Sequence, residues 1–425
     1  MLKKVSKLNK GLKGYVTIPA DKSISHRAVM FASLANGKSV IKNFSNGADP
    51  LSSLSVFSTL GVKHEFINKN TLVINSNGNL NAPSDVLNCG NSGTTMRLVS
   101  GILAGQNFKS VLCGDESLSK RPMKRIITPL QMMGAQISSV DGHAPLEIFG
   151  QTLHGIDYVS PIASAQVKSC VLLAGLKAGG VTTFSEPYLS RNHTELLLKY
   201  MGAEINSVGT CVKISKSELQ PKHIEICGDI SSAAFFIAAG LIVPDSDIIL
   251  KDVGLNSTRT GILDVAKSMG GDVEILDKDT VSGEVKGDIR IRYSKLKGCI
   301  IEKDIIPRLI DELPIIAVMA SLAEGQTIVK DAQDLRNKES DRIAAVVSEL
   351  RKLGAEINET SDGFVIYGKK SLKGGTQVKS YHDHRLAMSL YVAGLVCDET
   401  VAIDDFEWVS ISFPNFEFLL SNLIA

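Results

Sequence analysis

Apolar and polar positions recur along this chain on one long period. Six times a short polar stretch opens an Ala/Leu/Met-rich run. The openings are Asp21-Lys22-Ser23, Asn91-Ser92-Gly93-Thr94, Ala163-Ser164-Ala165-Gln166, Asp229-Ile230-Ser231-Ser232, Asp311-Glu312-Leu313-Pro314 and His382-Asp383-His384-Arg385. Their first residues lie 70, 72, 66, 82 and 71 positions apart. Each opening followed by an apolar run predicts a helix start. Four runs stop at a glycine (Gly37, Gly105, Gly179, Gly325), which predicts left-handed helix C-caps. β-branched segments such as 39–41, 181–183 and 327–329 then predict strands. A second helix follows and ends in a recurring phrase: Leu60-Gly61-Val62, Met133-Gly134-Ala135, Met201-Gly202-Ala203, Met269-Gly270-Gly271 and Leu353-Gly354-Ala355. Strand-like residues come after each phrase. The pattern predicts six α/β units.

Units of this size, each with two helices and several strands, group into compact domains rather than a solenoid. A chain of 425 residues suggests two or three domains at about 150 residues each, hence three units per domain. Cys227-Gly228-Asp229 separates units three and four, and Pro19-Ala20 precedes unit one. The strand-like residues 15–18 could pair with either half.

Composition narrows the function classes. Apolar residues make up 44% of the chain and charged residues 21%, which excludes wholesale disorder. The net charge of +1 argues against a field-driven nucleic-acid binder. The longest apolar runs, 233–243 and 313–323, are too short for a membrane span. No hydrophobic stretch follows Lys3, Lys4, Lys7, Lys10 and Lys13, so no secretory signal is expected. Seven scattered cysteines, none spaced CxxC, suit reduced thiols in a cytoplasmic protein.

The candidate chemistry gathers at the unit openings. In Asp21-Lys22-Ser23-Ile24-Ser25-His26-Arg27, free amides at a helix start lie beside two cations, and Ser23 and Arg27 share a face. Gly90 to Arg97 brings two glycines and small hydroxyls before a helix, which permits close backbone approach to a ligand, although a plain turn would read alike. Ser119-Lys120-Arg121-Pro122-Met123-Lys124-Arg125 is either a solvated basic face or an anion site, with Pro122 fitting a first helical turn. Lys338 and Arg342, spaced i, i+4, repel on one helical face unless an anion or Glu339 and Asp341 neutralise them. His382 and His384 invite a metal reading, but no further His/Cys cluster supports it. Asp311-Glu312 is an acidic pair suited to general-base work. Neither G-x-S-x-G nor a Rossmann G-x-G-x-x-G after a strand is present. Several fixed cations with a few carboxylates suit an enzyme acting on strongly anionic small molecules.

In order along nearly the whole chain, Asp21-Lys22-Ser23 to Arg27, Gly90-Asn91 to Arg97, Arg121-Pro122, Lys338 to Arg342 and His382 to Arg385 resemble the signature set of the EPSP synthase family. The resemblance implies an α/β, two-domain enolpyruvyl transferase fold of six βαβαββ repeats, three per domain. One domain would hold residues 20–227 and the other 1–19 plus 228–425, with hinges near 20 and 227 and ligands in the cleft between them. It implies transfer of the enolpyruvyl group of phosphoenolpyruvate to the 5-hydroxyl of shikimate 3-phosphate, without metal or organic cofactor. Lys22, Ser23, Arg27, Ser164, Gln166, Arg191, Asp311 and Lys338 would bind shikimate 3-phosphate. Lys22, Gly93, Arg121, Gln166, Arg342 and Arg385 would surround phosphoenolpyruvate. Asp311 would be the base, and Glu339 with Lys22 the proton donor. A cytoplasmic monomer with no nucleic-acid or membrane partner is implied.

Departures place the chain within that family. Ala165 stands where many members have a second serine, Arg191 offers a replacement contact, and Ile411 stands where many carry a lysine. These features are similar to the second, glyphosate-tolerant-type subgroup, yet position 93 is glycine, where tolerant members can have alanine. The UDP-N-acetylglucosamine enolpyruvyl transferases share fold and donor, but their reactive-cysteine loop has no convincing counterpart near Cys89 or Cys113. A non-catalytic anion-binding member is disfavoured by Lys22, Asp311, Glu339 and Arg385 being in place.

Overall fold

A computed structural model describes residues 2–424. The six polar openings begin six helices: Lys22–Leu34, Gly93–Ala104, Ala165–Gly175, Ile230–Ile242, Leu313–Ser321 and His384–Gly394, numbered here as inner helices one to six. Five are capped by a side chain at the opening. Asp21 accepts from Ile24 N at 2.8 Å, Ser92 from Thr95 N at 3.1 Å and Ser164 from Val167 N at 3.5 Å. Asp229 accepts from Ser231 N and Asp383 from Arg385 N, both at 2.9 Å. Inner helix five has no side-chain cap and carries Pro314 in its first turn, where no amide donor is missed.

The inner helices are buried on nearly every side, with apolar residues forming most of their length. Inner helices two and three approach so closely at Gly101 that a Cβ there would lie 2.1 Å from the Cys170 carbonyl oxygen. Inner helices four, five and six also pack on one another.

Strand, second helix and hairpin follow each inner helix in units one to five, and the strands form five four-stranded sheets. In each, a short leading strand pairs parallel to the strand after the inner helix, and the hairpin completes the sheet antiparallel. Two leading strands come from elsewhere in the sequence. Lys13–Thr17 precedes inner helix one but pairs with Asp247–Gly254, Val16 opposite Leu250. His223–Glu225 precedes inner helix four but pairs with Asn36–Lys42, Ile224 opposite Ile41. The undecided residues 15–18 thus belong with the C-terminal half. The chain accordingly forms two compact units: Ala20–Cys227 with the hairpin tip Thr280–Glu284, and the other described residues. Each unit has its own apolar core.

Unit six is abbreviated. After the strand Val401–Ile403 come a 3-10 helix, Phe406–Ile411, and the helix Phe416–Ser421, without a hairpin. Lys3–Val5 pairs with Val401–Ile403 instead, and rings of Tyr391, Phe413 and Phe416 close the end of the core.

The expected left-handed caps fall largely elsewhere. Gly325 has φ +89°, but Gly37 lies inside a strand, Gly105 has φ −93°, and Gly180 rather than Gly179 takes positive φ. At Gly105 the turn stays right-handed because Gln106 N bonds to Leu103 O at 3.1 Å. The second helices, by contrast, all close on a left-handed glycine of the recurring phrase: Gly61, Gly134, Gly202, Gly270 and Gly354, with φ between 82° and 98°. After each, the next amide reaches back five residues, as Val62 N does to Phe57 O and Ala355 N to Leu350 O, both at 3.0 Å. This is the Schellman closure, repeated five times.

Because the Cys170 carbonyl cannot move without inner helix three, Gly101→Ala is expected to lower stability by about 1–3 kcal/mol or more. Chemical unfolding checks this, and an unchanged midpoint would contradict the close approach.

Candidate functional site

In the Ala20–Cys227 unit, Lys22 is the first residue of inner helix one, its Nζ 3.0 Å from Asp49 Oδ2. Arg27, 3% exposed, donates from Nη1 to Ser23 O at 2.9 Å, so these two share a face as their spacing predicts. Its Nε donates to Thr194 Oγ1 at 2.7 Å and its Nη2 to Ser169 Oγ at 2.8 Å, linking helix one to the third repeat.

Beside the second and third openings, Gln166 Oε1 accepts from Arg97 Nη1 at 2.6 Å while its Nε2 donates to Thr94 Oγ1 at 3.0 Å. Arg121 Nη2 donates to Asn91 Oδ1 at 2.7 Å. A Cβ on Gly93 would come 2.8 Å from Arg97 Nη1 and 3.4 Å from Arg121 Nη1. Glycine here leaves space beside two guanidinium groups at a helix first turn, where an anion is favoured. Gly93, Arg121 and Gln166 are thus brought together, whereas Lys22 is held by Asp49. Pro122 does not open a helix as expected: the helix is Lys124–Met132, and Pro122 O instead accepts from Arg97 Nη2 at 3.3 Å. Arg97, Asn91 and Asp49 carried no role in the sequence reading, although Arg97 and Asn91 lie inside the motif that drew attention. Arg191 is half-buried, two positions before the helix His193–Tyr200.

His26, buried on inner helix one, lies 2.7 Å from Ser53 Oγ, and Ser53 reaches Thr95 at 2.8 Å. Burial pushes its imidazole down to about 3, with Lys22 and Arg27 adding to the effect and Asp49 opposing it. It is a neutral tie between helices one and two at the base of the cationic cluster.

In the other unit, Asp311 lies in the 3-10 turn Ile310–Glu312 ahead of inner helix five. Its Oδ1 is 3.3 Å from Lys338 Nζ and 3.2 Å from Arg342 Nη1. Arg342, 1% exposed, also donates to Glu339 Oε2 at 2.6 Å and to both oxygens of Asp383, at 2.7 and 3.2 Å. Burial works against its charge, but Asp383, Glu339 and Asp311 outweigh it and hold its affinity for the proton above that of a free guanidinium. Asp383, which burial alone would raise, is held below the usual carboxylate range by Arg342. Arg385 Nη1 donates to the Asp311 carbonyl at 3.3 Å and lies 3.5 Å from Glu312 Oε1. Asp311, Lys338, Glu339, Arg342 and Arg385 form one cluster.

Lys338 and Arg342 do not share a helical face. Lys338 is extended and the helix begins at Arg342, so the two cations converge on Asp311 from different directions. Asp341 caps that helix through Ala344 N at 3.1 Å and pairs with Arg336, so of the two acids Glu339 is the one that pairs with Arg342, alongside Asp311 and Asp383. The two histidines have separate surroundings: His382 stacks on Trp408 at 4.8 Å with Nε2 3.1 Å from Asp405, and His384 is buried. Tyr381 and His382 are consecutive non-glycine residues with φ of +54° and +57°. This costly turn delivers Asp383 and Arg385 to the cluster.

One cluster thus presents guanidinium and ammonium groups at helix starts, and the other presents a carboxylate between two cations with a second acid nearby. A family model described as EPSP synthase (3-phosphoshikimate 1-carboxyvinyltransferase) matches residues 7–420. The chain belongs to the EPSP synthase family. It is 53% identical over 414 residues to the 3-phosphoshikimate 1-carboxyvinyltransferase of Bacillus pumilus, covering 95% of this chain and 96% of that one. The solved EPSP synthase of Acinetobacter baumannii superposes with a TM-score of 0.89 at 42% identity, over 99% of this chain and 98% of that one. The enolpyruvyl transferase NikO from Streptomyces tendae shares the fold, with a TM-score of 0.81 at 17% identity over 99% and 97% of the two chains. As a family member the chain is a transferase of the shikimate pathway, moving the enolpyruvyl group of phosphoenolpyruvate to the 5-hydroxyl of shikimate 3-phosphate. Among the described residues no helix is long and apolar enough to cross a membrane.

His26 gives this architecture an acid limit. Its folded value of about 3 lies below the ordinary 6.5, so its contribution is complete above pH 6.5. As pH falls from there the unfolded chain takes a proton that the folded one refuses until about pH 3. Stability is expected to fall by up to about 1.4 kcal/mol per pH unit on this account. Urea unfolding between pH 4 and 7 should show that slope reduced in His26→Gln.

Proposed function

We propose that the two clusters divide the work of this transfer. Lys22, Ser23, Arg27, Ser164, Gln166 and Arg191 bind shikimate 3-phosphate together with Asp311 and Lys338. Lys22, Gly93, Arg121 and Gln166 bind phosphoenolpyruvate together with Arg342 and Arg385. Both substrates are multiply charged anions, so fixed cations offset their repulsion and stabilise the charge that develops during reaction. Asp311 takes the proton from the 5-hydroxyl as that oxygen adds to C2 of phosphoenolpyruvate. Glu339, with Lys22, delivers a proton to the methylene carbon, giving a tetrahedral intermediate. Loss of phosphate and of a methyl proton then forms the enolpyruvyl ether. Residues 20–227 act as one domain and 1–19 with 228–425 as the other, with hinges near 20 and 227. The enzyme works as a cytoplasmic monomer on these small molecules, without metal or organic cofactor.

The observation that carries this reading is the Asp311 carboxylate, held at 3.3 and 3.2 Å from the Lys338 and Arg342 cations at the start of a buried helix. The cysteine-dependent alternative is disfavoured because burial pushes the Cys89 thiol up, and burial with Asp85 does the same to Cys113. Neither is poised as a thiolate at neutral pH.

Phosphate release from phosphoenolpyruvate is expected with shikimate 3-phosphate as acceptor and not with UDP-N-acetylglucosamine. In that assay Asp311→Asn should lower kcat by about 10²–10⁴-fold with substrate binding largely retained. Equal loss of both would count against Asp311 as the base.

Glyphosate is expected to inhibit competitively with phosphoenolpyruvate. A methyl at position 93 would press on Arg97 Nη1 at 2.8 Å and fill the space up to Arg121 Nη1 at 3.4 Å. Gly93→Ala should therefore raise the glyphosate inhibition constant, and the KM for phosphoenolpyruvate with it. Inhibition independent of phosphoenolpyruvate concentration would contradict the assignment.

A further inference from the structure

Lys168 has no part in the chemistry above, yet its side chain is 0% exposed. A buried ammonium is costly unless several groups compensate it. Here Nζ lies 2.9 Å from Glu186 Oε1 and 2.8 Å from Glu195 Oε1, and it donates to the Ser190 carbonyl at 3.1 Å. Glu186 Oε1 in turn accepts from Ser190 N at 2.8 Å and from Ser190 Oγ at 2.9 Å. Glu186 and Ser190 therefore clasp the ends of a loop whose middle residues, Pro187 to Leu189, are exposed.

Arg191 follows that clasp directly, and Glu195 lies four residues beyond it in the first turn of His193–Tyr200. One buried cation thus holds the chain on both sides of Arg191. The adjoining Ser169 adds to the hold, with its Oγ 2.6 Å from Thr194 Oγ1. Both anchors stand on inner helix three, whose N-terminus carries Ser164 and Gln166. An apolar contact would have attached the loop without burying charge. Three oxygens around one ammonium instead fix where the backbone at 190 and 195 must be.

We propose that Lys168 is a positioning residue for acceptor binding: it fixes the segment 186–195 on inner helix three so that Arg191 is held ready for the shikimate 3-phosphate anion. The proposal rests on the reading of Arg191 as an acceptor ligand. It predicts an effect on the acceptor and not on the donor, because the segment 186–195 that Lys168 holds carries Arg191 and none of the proposed donor ligands.

The test is a double-mutant cycle in the full-length enzyme with Lys168→Met and Arg191→Ala. Lys168→Met should raise the KM for shikimate 3-phosphate about tenfold, a coupling of the size expected for residues acting through shared contacts. The KM for phosphoenolpyruvate and kcat should stay within about twofold, because a positioning effect confined to the acceptor leaves donor binding and turnover alone. Amide hydrogen exchange across 186–195 should quicken. The double variant should bind acceptor no worse than Arg191→Ala alone. Multiplying effects in the double variant would overturn the proposal, as would an unchanged acceptor KM in Lys168→Met while Arg191→Ala raises it. An unchanged KM in Arg191→Ala would overturn the role of Arg191 itself, and the exchange rates would then decide separately whether Lys168 holds the loop. If Lys168→Met fails to fold, Glu195→Gln, which removes one carboxylate charge, carries the same cycle.

Discussion

A helix buried on every side cannot leave the amides of its first turn to water, and that constraint organises both units. Five of the six inner helices meet it with an Asp or Ser side chain at the opening, and inner helix five with proline. Once the cap is fixed, the residues just after it are fixed too. Lys22, Gly93, Gln166 and Arg385 all lie in the first turn of a capped inner helix, and Asp311 lies just before the fifth. The groups suited to anions and protons are therefore gathered by the same requirement that makes the core stable.

The second constraint is charge balance without water. Arg342 is almost wholly buried, and three carboxylates surround it. Taken alone each of those acids would resist burial, and so would the guanidinium. Together they fix one another, and Asp311 and Glu339 are held in place before any substrate arrives. On the function proposed above, groups fixed in this way need not reorganise when charge develops during reaction. The left-handed turn at Tyr381 and His382 is backbone strain carried for the same end, because it delivers Asp383 into the Arg342 fork.

Closure at the other ends of the units uses backbone alone. Five second helices finish in the same Schellman turn, with glycine supplying the left-handed residue and valine, alanine or a second glycine following. The same turn leads the chain from helix to hairpin in each of these five units. Where the glycine phrase is missing, in unit six, the hairpin is missing as well, and the N-terminal strand Lys3–Val5 takes a place in the sheet.

The sequence by itself determined the features whose cause lies within a few residues. Helix starts at Asp21, Ser92, Asp229 and Asp383, the glycine phrases that end the second helices, and the six-fold recurrence of apolar runs are all short-range, because a cap or a Schellman turn bonds only two to five residues away. The basic clusters were legible too, since cations standing at helix starts are visible as neighbours in the chain. Tertiary structure alone decided what depends on distant partners. The pairing of Lys13–Thr17 with Asp247–Gly254 joins strands more than two hundred residues apart, and no local pattern favours one sheet edge over another. Spacing suggested a shared face for Lys338 and Arg342, but the carboxylate of Asp311 drew them together from an extended segment and a helix start. Nothing local to Lys168 marks it for burial; Glu186 and Glu195 make it possible, because a charge enters a core only where the fold has already brought its counter-charges.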